Sequence, residues 1–400
     1  MKRLVAIPAL NEEEGIVSIV QRTLDAREAI IARTPVTAVE ITVVSDGSTD
    51  RTVERARAFG SAIRLIIFER NHGYGAAIME AWRRSDAELL AFIDADGTCD
   101  PDFFADLCTA LVERGADVVL GSRMHGASRM PLVRRIGNAI FAAMLTTFGS
   151  TRVRDAASGM RVVRRACLPR LLPLPDGLHF TPAMSARAIL AGDLTIIEVD
   201  MPYSERAGRS KLRPFRDGLR FLQAILTAAF LYRPSRPLGI IALAAFASAL
   251  FWSVRLAWQY NRFGVFEPWM IYHFVVIQLS TTAGVLLVLA GHLGRKAVGI
   301  TLSADVHRYR SRGPVGALLS HRGFWFVPSG LAVLGILVIA PAAAGYIRTG
   351  HMDSLADHWS RFFSMSFAFS LALILTAARF VDITLDLLAD RVAYLKRDAS

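Results

Sequence analysis

Two carboxylates set two residues apart, Asp94 and Asp96 in Phe92-Ile93-Asp94-Ala95-Asp96-Gly97, are the side chains best placed to do chemistry. Leu89 to Ile93 precede them as an apolar run too short for a helix, which predicts a buried parallel strand. At the mouth of such a strand both carboxylates reach one hard cation. Mg²⁺ and Mn²⁺ favour oxygen ligands and keep positions open for water and substrate phosphates. The bland alternative is an ordinary Asp-Gly turn that binds nothing. An Asp-x-Asp pair alone does not separate the two; the neighbouring clusters favour the cation.

Those clusters follow other strand-like runs. Leu4 to Ile7 leads into Ala9-Leu10-Asn11-Glu12, where Asn11 is a plausible cap for a helix reaching about Arg33. Glu40 to Val44 leads into Ser45-Asp46-Gly47-Ser48-Thr49-Asp50, with Asp50 capping the next helix. Ile63 to Phe68 leads into Asn71-His72-Gly73-Tyr74-Gly75 and a helix. Asp100-Pro101 opens another helix with proline in its first turn, and Asp117 to Leu120 runs into Gly121-Ser122-Arg123. Asp155 to Arg161 then leads into a short strand, and Leu194 to Val199 is another. Strands alternating with helices imply right-handed crossovers and a mainly parallel sheet. Ligands of such sheets sit outside the carboxyl ends of the strands, where Asn11, Asp46 and Asp94 converge.

The chain has 400 residues, room for more than one domain, and is 53% hydrophobic with a formal charge of +11. A mean hydropathy of +0.36 is too apolar for an ordinary soluble enzyme. The basic charge fits a membrane protein with basic cytoplasmic loops better than a nucleic-acid binder, because no RNA-binding or helix-turn-helix signature accompanies it. Cys99, Cys108 and Cys167 form no CxxC pair, suggest no zinc site, and suit a reducing cytoplasm. The apolar run after Met1-Lys2-Arg3 is too short for a signal peptide, so the first domain is expected to stay in the cytoplasm.

From Met124 to Phe148 basic and apolar residues mix, including Arg129, Arg134 and Arg135, as in a loop and an amphipathic helix on a membrane or an ordinary surface helix. Arg206 to Leu212 is a basic loop, and Pro214 to Tyr232 an amphipathic helix expected at the interface. Four apolar stretches near 238–258, 269–292, 324–347 and 362–381 then each match a bilayer core. The loop between the second and third is the most basic, which places it and both termini in the cytoplasm. Arg255, His273 and His292 read as snorkelling or interfacial, and Arg379 with Asp382 as an i, i+3 pair.

Taken together the motifs resemble family 2 glycosyltransferases of the GT-A fold, closest to dolichol-phosphate mannose synthase and bacterial polyprenyl-phosphate glycosyltransferases. They are Pro8-Ala9-Leu10-Asn11-Glu12, Asp46-Gly47-Ser48-Thr49-Asp50, Asn71 to Ala77, Asp94-Ala95-Asp96-Gly97-Thr98, Gly121-Ser122-Arg123, Asp155 with Ser158-Gly159-Met160-Arg161, and Arg209-Ser210-Lys211-Leu212. The ordered set is more telling than any one motif.

The resemblance implies an α/β GT-A domain, Rossmann-like with a mainly parallel sheet, over 1–213. A helix and hinge at 214–235 and an all-α transmembrane region at 236–400 would follow. Pro8, Ala9, Asn11, Glu12 and Ala95 would line the nucleotide-sugar pocket, with Asp46 reading the base. Asp94 and Asp96 would hold Mg²⁺ or Mn²⁺ on the diphosphate. Arg123, Arg134, Arg209 and Lys211 would receive the acceptor phosphate, and Asp155 matches an acidic position often given a catalytic role. Ser45 stands where the family often has Asp, a departure that implies different base-side contacts. The Gln-x-x-Arg-Trp signature of processive synthases is absent.

The implied reaction is inverting transfer from a nucleotide sugar, of GDP-mannose or UDP-hexose type, to undecaprenyl or dolichyl phosphate. It would run at the cytoplasmic face of the cell (inner) membrane, in a multi-pass protein touching lipid and forming a homo-oligomer as related anchored enzymes suggest. The rivals are transfer to a hydroxyl lipid, which would need Asp155 as a base, and a scaffold that binds the nucleotide sugar without turnover.

Overall fold

The computed structural model describes residues 1–124, 130–149, 151–204, 214–264, 267–302, 313–350 and 355–398. The chain divides into two compact units, Met1–Tyr232 and Arg233–Ser400.

The first unit runs β1 (Lys2–Ala9), α1 (Ile16–Arg33), β2 (Ala38–Asp46), α2 (Thr52–Arg57), β3 (Arg64–Phe68), α3 (Tyr74–Arg83), β4 (Leu89–Ile93) and α4 (Phe103–Glu113). It continues with β5 (Val118–Ser122), α5 (Leu132–Phe148), β6 (Met160–Arg164), α6 (Leu168–Leu171), α7 (Phe180–Ala191), β7 (Ile196–Asp200) and α8 (Pro214–Tyr232). The seven strands form one sheet in the order β3-β2-β1-β4-β6-β5-β7. It is parallel except at β6, which pairs antiparallel with both β4 and β5. The expected mainly parallel α/β sheet is therefore present, with one reversed strand inserted beside the strand that carries Asp94.

Alternation along the strands makes two cores. Leu4, Ala6, Leu90 and Phe92 pack on one face with α3 and α7. Val5, Ile7, Leu89, Ala91 and Ile93 pack on the other with α1 and α4. All five residues of β4 are buried, as expected of a central strand covered on both faces. The sequence set 214–235 apart as an interface element. The structure instead packs α8 into this unit, because Ile225, Ala228 and Ala229 fill the first of the two cores. The opposite side of α8 and much of α5 stay apolar and exposed, Phe215 at 82% and Leu132 at 70%.

Helix starts differ from the expected ones where polar side chains capture the backbone first. Asn11 does not cap α1. It adopts φ 48°, and its side-chain oxygen accepts from the Thr49 N–H at 2.8 Å, so α1 begins only at Ile16. Asp50 makes the bond expected of a cap, accepting from the Thr52 N–H at the start of α2, whereas Asp100 accepts from the Asp102 N–H and α4 begins only at Phe103.

The second unit is helical: α9 (Ser235–Phe263), α10 (Ile271–Leu302), α11 (Pro314–Ser320), α12 (Phe326–Thr349) and α13 (Leu355–Asp398). Among the described residues three helices, Ser235–Phe263, Pro268–Leu302 and Phe326–Arg348, are long and apolar enough to cross a bilayer. The fourth expected stretch lies inside α13, which spans 44 residues, is not among those three, and runs on into Asp382, Asp386 and Asp390. The basic loop at 303–312 lies outside the described residues.

His292 is packed inside the bundle. It is 4% exposed, with Nε2 3.3 Å from Asp382 Oδ1. Lys296 bridges Asp382 at 2.5 Å and Asp386 at 2.9 Å, and Arg379 pairs with Asp382 at 2.9 Å, so α10 and α13 are joined by buried charge. His273 is buried edge-on to the Trp252 and Trp269 rings, whereas Arg255 is exposed. Removing one member of a buried ion network leaves uncompensated charge, costing about 3–5 kcal/mol. Lys296→Met is therefore expected to lower the unfolding midpoint of the detergent-solubilised chain clearly. An unchanged midpoint would mean that the network does not hold the bundle.

Candidate active site

The carboxyl ends of β1, β2, β4 and β5 open into one cavity of about 610 Å³, within the range of small-molecule sites. Neighbouring registers bring its walls together: Ala6 lies opposite Phe92, and Ala9 opposite Ser45. Pro8, Ala9, Glu12, Asp46, Asp94, Ala95 and Asp96 line it. Arg123 and Arg134 line it too, joined by Arg220 and Phe221 from α8. One lining thus offers both carboxylates and guanidiniums.

Asp96 is 8% exposed, and its Oδ1 accepts from both the N–H and the hydroxyl of Thr98, at 3.1 and 2.7 Å. Asp94 accepts from the Tyr74 hydroxyl at 2.6 Å. Burial, and then the Asp94 charge, push the Tyr74 phenol well above its ordinary value, so it stays a donor. Asp46 spends its oxygens on the N–H groups of His72 and Gly73, at 2.7 and 2.9 Å, and so shapes the 72–73 wall. The intervening turn needs Gly47, whose φ is 72° and where a Cβ would sit 2.5 Å from the Asn71 nitrogen.

Arg123 forms a two-pronged pair with Asp155, Nε to Oδ2 at 2.8 Å and Nη2 to Oδ1 at 2.9 Å. Its own backbone N–H adds a third bond to Oδ2 at 3.0 Å. Asn138 and the Ala157 N–H also donate to Oδ1. Asp155 is fully enclosed and does not line the cavity. Burial pushes its carboxyl up, but the Arg123 guanidinium more than offsets this and holds it below the usual carboxylate range. Arg123 is raised in turn: burial opposes its charge and Asp155 outweighs burial. Arg161, fully buried close by, is lowered by burial to about 10.

Residues 4–172 match the family model for glycosyl transferase family 2. A dolichyl-phosphate hexose transferase of Haloferax volcanii is 31% identical over 226 residues, which is 56% of this chain and 91% of that protein. The chain belongs to glycosyl transferase family 2. A low-salt glycan biosynthesis hexosyltransferase of the same organism is 34% identical over 254 residues, 62% of this chain but 59% of that longer relative. Glucosyl-3-phosphoglycerate synthase of Mycobacterium tuberculosis, solved with Mn²⁺, UDP and glucosyl-3-phosphoglycerate, matches 57% of this chain and 80% of its own at 25% identity and a TM-score of 0.44. At that score the likeness transfers no residue or ligand.

The residues of this family 2 glycosyltransferase suit a divalent cation. Asp94 and Asp96 offer hard oxygens in the lining of one cavity. Among the described residues no group of three or more His, Cys, Asp or Glu could hold a metal alone. Such a partial shell suits Mg²⁺ or Mn²⁺, which take water and phosphate oxygens besides, and not a closed zinc site.

Two expected site residues stand off the cavity wall: Asn11 is exposed and tied to the Ser48-Thr49 turn, and Asp155 acts from behind Arg123. Arg209 and Lys211 lie outside the described residues. The sequence reading did not single out Tyr74, Asn138, Tyr203 or Arg220. The Arg123 guanidinium lies 5.6 Å from the Tyr203 ring centre, a contact no local pattern signals.

Proposed function

We propose that this glycosyltransferase moves a hexosyl group from a nucleotide sugar to a polyprenyl phosphate. One observation carries the reading: a single cavity is lined by the carboxylates Asp94 and Asp96 and also by the guanidiniums Arg123 and Arg134. Those are the groups needed to hold a diphosphate through a cation and to bind a second anion beside it.

In the proposed reaction an acceptor phosphate oxygen attacks the anomeric carbon of the sugar. The bond from that carbon to the donor's diphosphate oxygen breaks, the nucleoside diphosphate leaves with the electron pair, and the configuration inverts. A divalent ion held by Asp94 and Asp96 would supply Lewis-acid stabilisation to the leaving group. Pro8, Ala9 and Glu12 bound the nucleotide, and Asp46 holds the adjoining wall. Arg123 and Arg134 orient the acceptor phosphate, Arg123 kept rigid by Asp155. Phosphate monoesters have a second pKa near 6 and are already anionic at pH 7, so no strong base is required. The enclosure of Asp155 supports an orienting role. The apolar helices of the second unit would anchor the enzyme in the inner membrane, with the first unit cytoplasmic. The acceptor would then be met at the surface, which is catalysis by tethering.

The test is incubation of the purified chain with labelled GDP-mannose and UDP-hexoses, Mg²⁺ or Mn²⁺, and either undecaprenyl or dolichyl phosphate or a hydroxyl lipid. Chelator-sensitive label in a phosphate-linked lipid is the expected result. Label in the hydroxyl lipid alone, or tight nucleotide-sugar binding without turnover, would overturn it.

A further inference from the structure

Asp94 leaves β4 with its carboxylate confined from two sides. On one side the Tyr74 hydroxyl donates to Oδ1 at 2.6 Å. On the other lies Gly159, where a Cβ would sit 1.9 Å from Oδ2. The carboxylate therefore occupies the space that any other residue at 159 would take.

The Tyr74 ring is itself fixed. It stands edge-on to Phe92 and Phe180, with centroids 6.3 and 6.4 Å away, and both of those rings are fully buried. Trp82 packs on the same two rings. The first turn of α3 is pinned from below, since the N–H groups of Gly75 and Ala76 both donate to the Asp176 carbonyl, at 2.6 and 3.1 Å. The hydroxyl cannot swing away without moving this aromatic cluster.

We infer that Tyr74 is a positioning residue, which together with the bare backbone at Gly159 fixes the orientation of the Asp94 carboxylate toward the cation and diphosphate. The inference rests on the reading of Asp94 and Asp96 as the cation's ligands. Its physical basis is that the terminal torsion of aspartate is broad, so the carboxylate plane is set by its partners and not by the side chain itself. Mg²⁺ demands near-ideal octahedral geometry, which makes that plane matter. Partners that orient a ligand typically contribute 10–100-fold in metal affinity when lost.

The experiment is Mn²⁺ binding to the full detergent-solubilised chain, followed by the electron paramagnetic resonance signal of free Mn²⁺ in the presence of GDP and, separately, UDP. Tyr74→Phe keeps the ring and removes one hydrogen bond. It is expected to weaken Mn²⁺ binding by about 10–100-fold with an unchanged unfolding midpoint. Activity should return as Mn²⁺ is raised, a rescue that a merely structural defect would not give. Asp94→Asn is the reference. If Asp94→Asn weakens Mn²⁺ binding and Tyr74→Phe leaves it at the wild-type value, the positioning role is overturned while the metal reading stands. If Asp94→Asn also binds as the wild type does, the metal reading fails and the inference with it. Should Tyr74→Phe not fold, Gly159→Ala crowds the same carboxylate from the opposite side with the hydroxyl intact. Weaker Mn²⁺ binding is again expected, and wild-type binding there would overturn the clamp.

Discussion

Asp96→Asn is expected to lower sugar transfer by about 10²–10³-fold, the usual loss when a group that stabilises developing charge is removed. The substitution is close to isosteric. The amide oxygen can still accept from the N–H and hydroxyl of Thr98, the bonds that hold Asp96 at 3.1 and 2.7 Å. What disappears is the negative charge, and with it most of the affinity of a hard cation for this part of the cavity lining. Asp96 is nearly buried, so its charge acts through less solvent than a surface carboxylate would. The loss should fall on the rate at saturating donor, and added Mn²⁺ should recover part of it. A wild-type rate for Asp96→Asn at low Mg²⁺ would mean that the leaving group is stabilised by other groups. Asp94 and Asp96 would then not hold the cation.

What the sequence made legible was local. The run Leu89 to Ile93 is a buried strand because five consecutive apolar residues leave no polar face. It delivers Asp94 and Asp96 to the sheet's edge as the Asp-Gly turn suggested. The interval Pro214–Tyr232 is helical over the expected range, because proline opens it and the apolar residues recur at helical spacing. What stayed hidden depends on partners far along the chain. Nothing in Met160–Arg164 marks it as the reversed strand between β4 and β5, since pairing direction is set by the topology around it. The Tyr74 bond to Asp94 spans 20 residues and the crowding at Gly159 spans 65, so neither leaves a spacing to read. Asn11 departs from the expected cap for a related reason. It is a good helix cap by type, but the Ser48-Thr49 turn lies within reach and competes for its amide. In the second unit, Lys296 looks like a basic residue near a span's end until α13 brings Asp382 and Asp386 against it.

Asp155→Asn separates an orienting acid from a catalytic base by the way it fails. Asp155 receives five hydrogen bonds, from Arg123 three times, from Asn138 and from Ala157. It is also the negative charge facing two guanidiniums, the cavity-lining Arg123 and the buried Arg161. Neutralising it leaves those cations uncompensated, which costs about 3–5 kcal/mol of stability and should lower the unfolding midpoint clearly. The same link fixes a pH dependence. The folded carboxyl lies below its unfolded value of about 4, so its contribution is complete above that pH and is lost as pH falls through the folded value. The wild type should lose stability in that acid range more steeply than the variant. In catalysis the variant is expected to raise the KM for polyprenyl phosphate, because Arg123 is no longer locked, while kcat at saturating acceptor falls less than about 10-fold. Removal of a true acid–base group would lower kcat by about 10²–10⁴-fold. A loss of that size with a folded variant would make Asp155 the base and would favour an acceptor hydroxyl, which must give up a proton, over an acceptor phosphate, which at neutral pH is already mostly deprotonated.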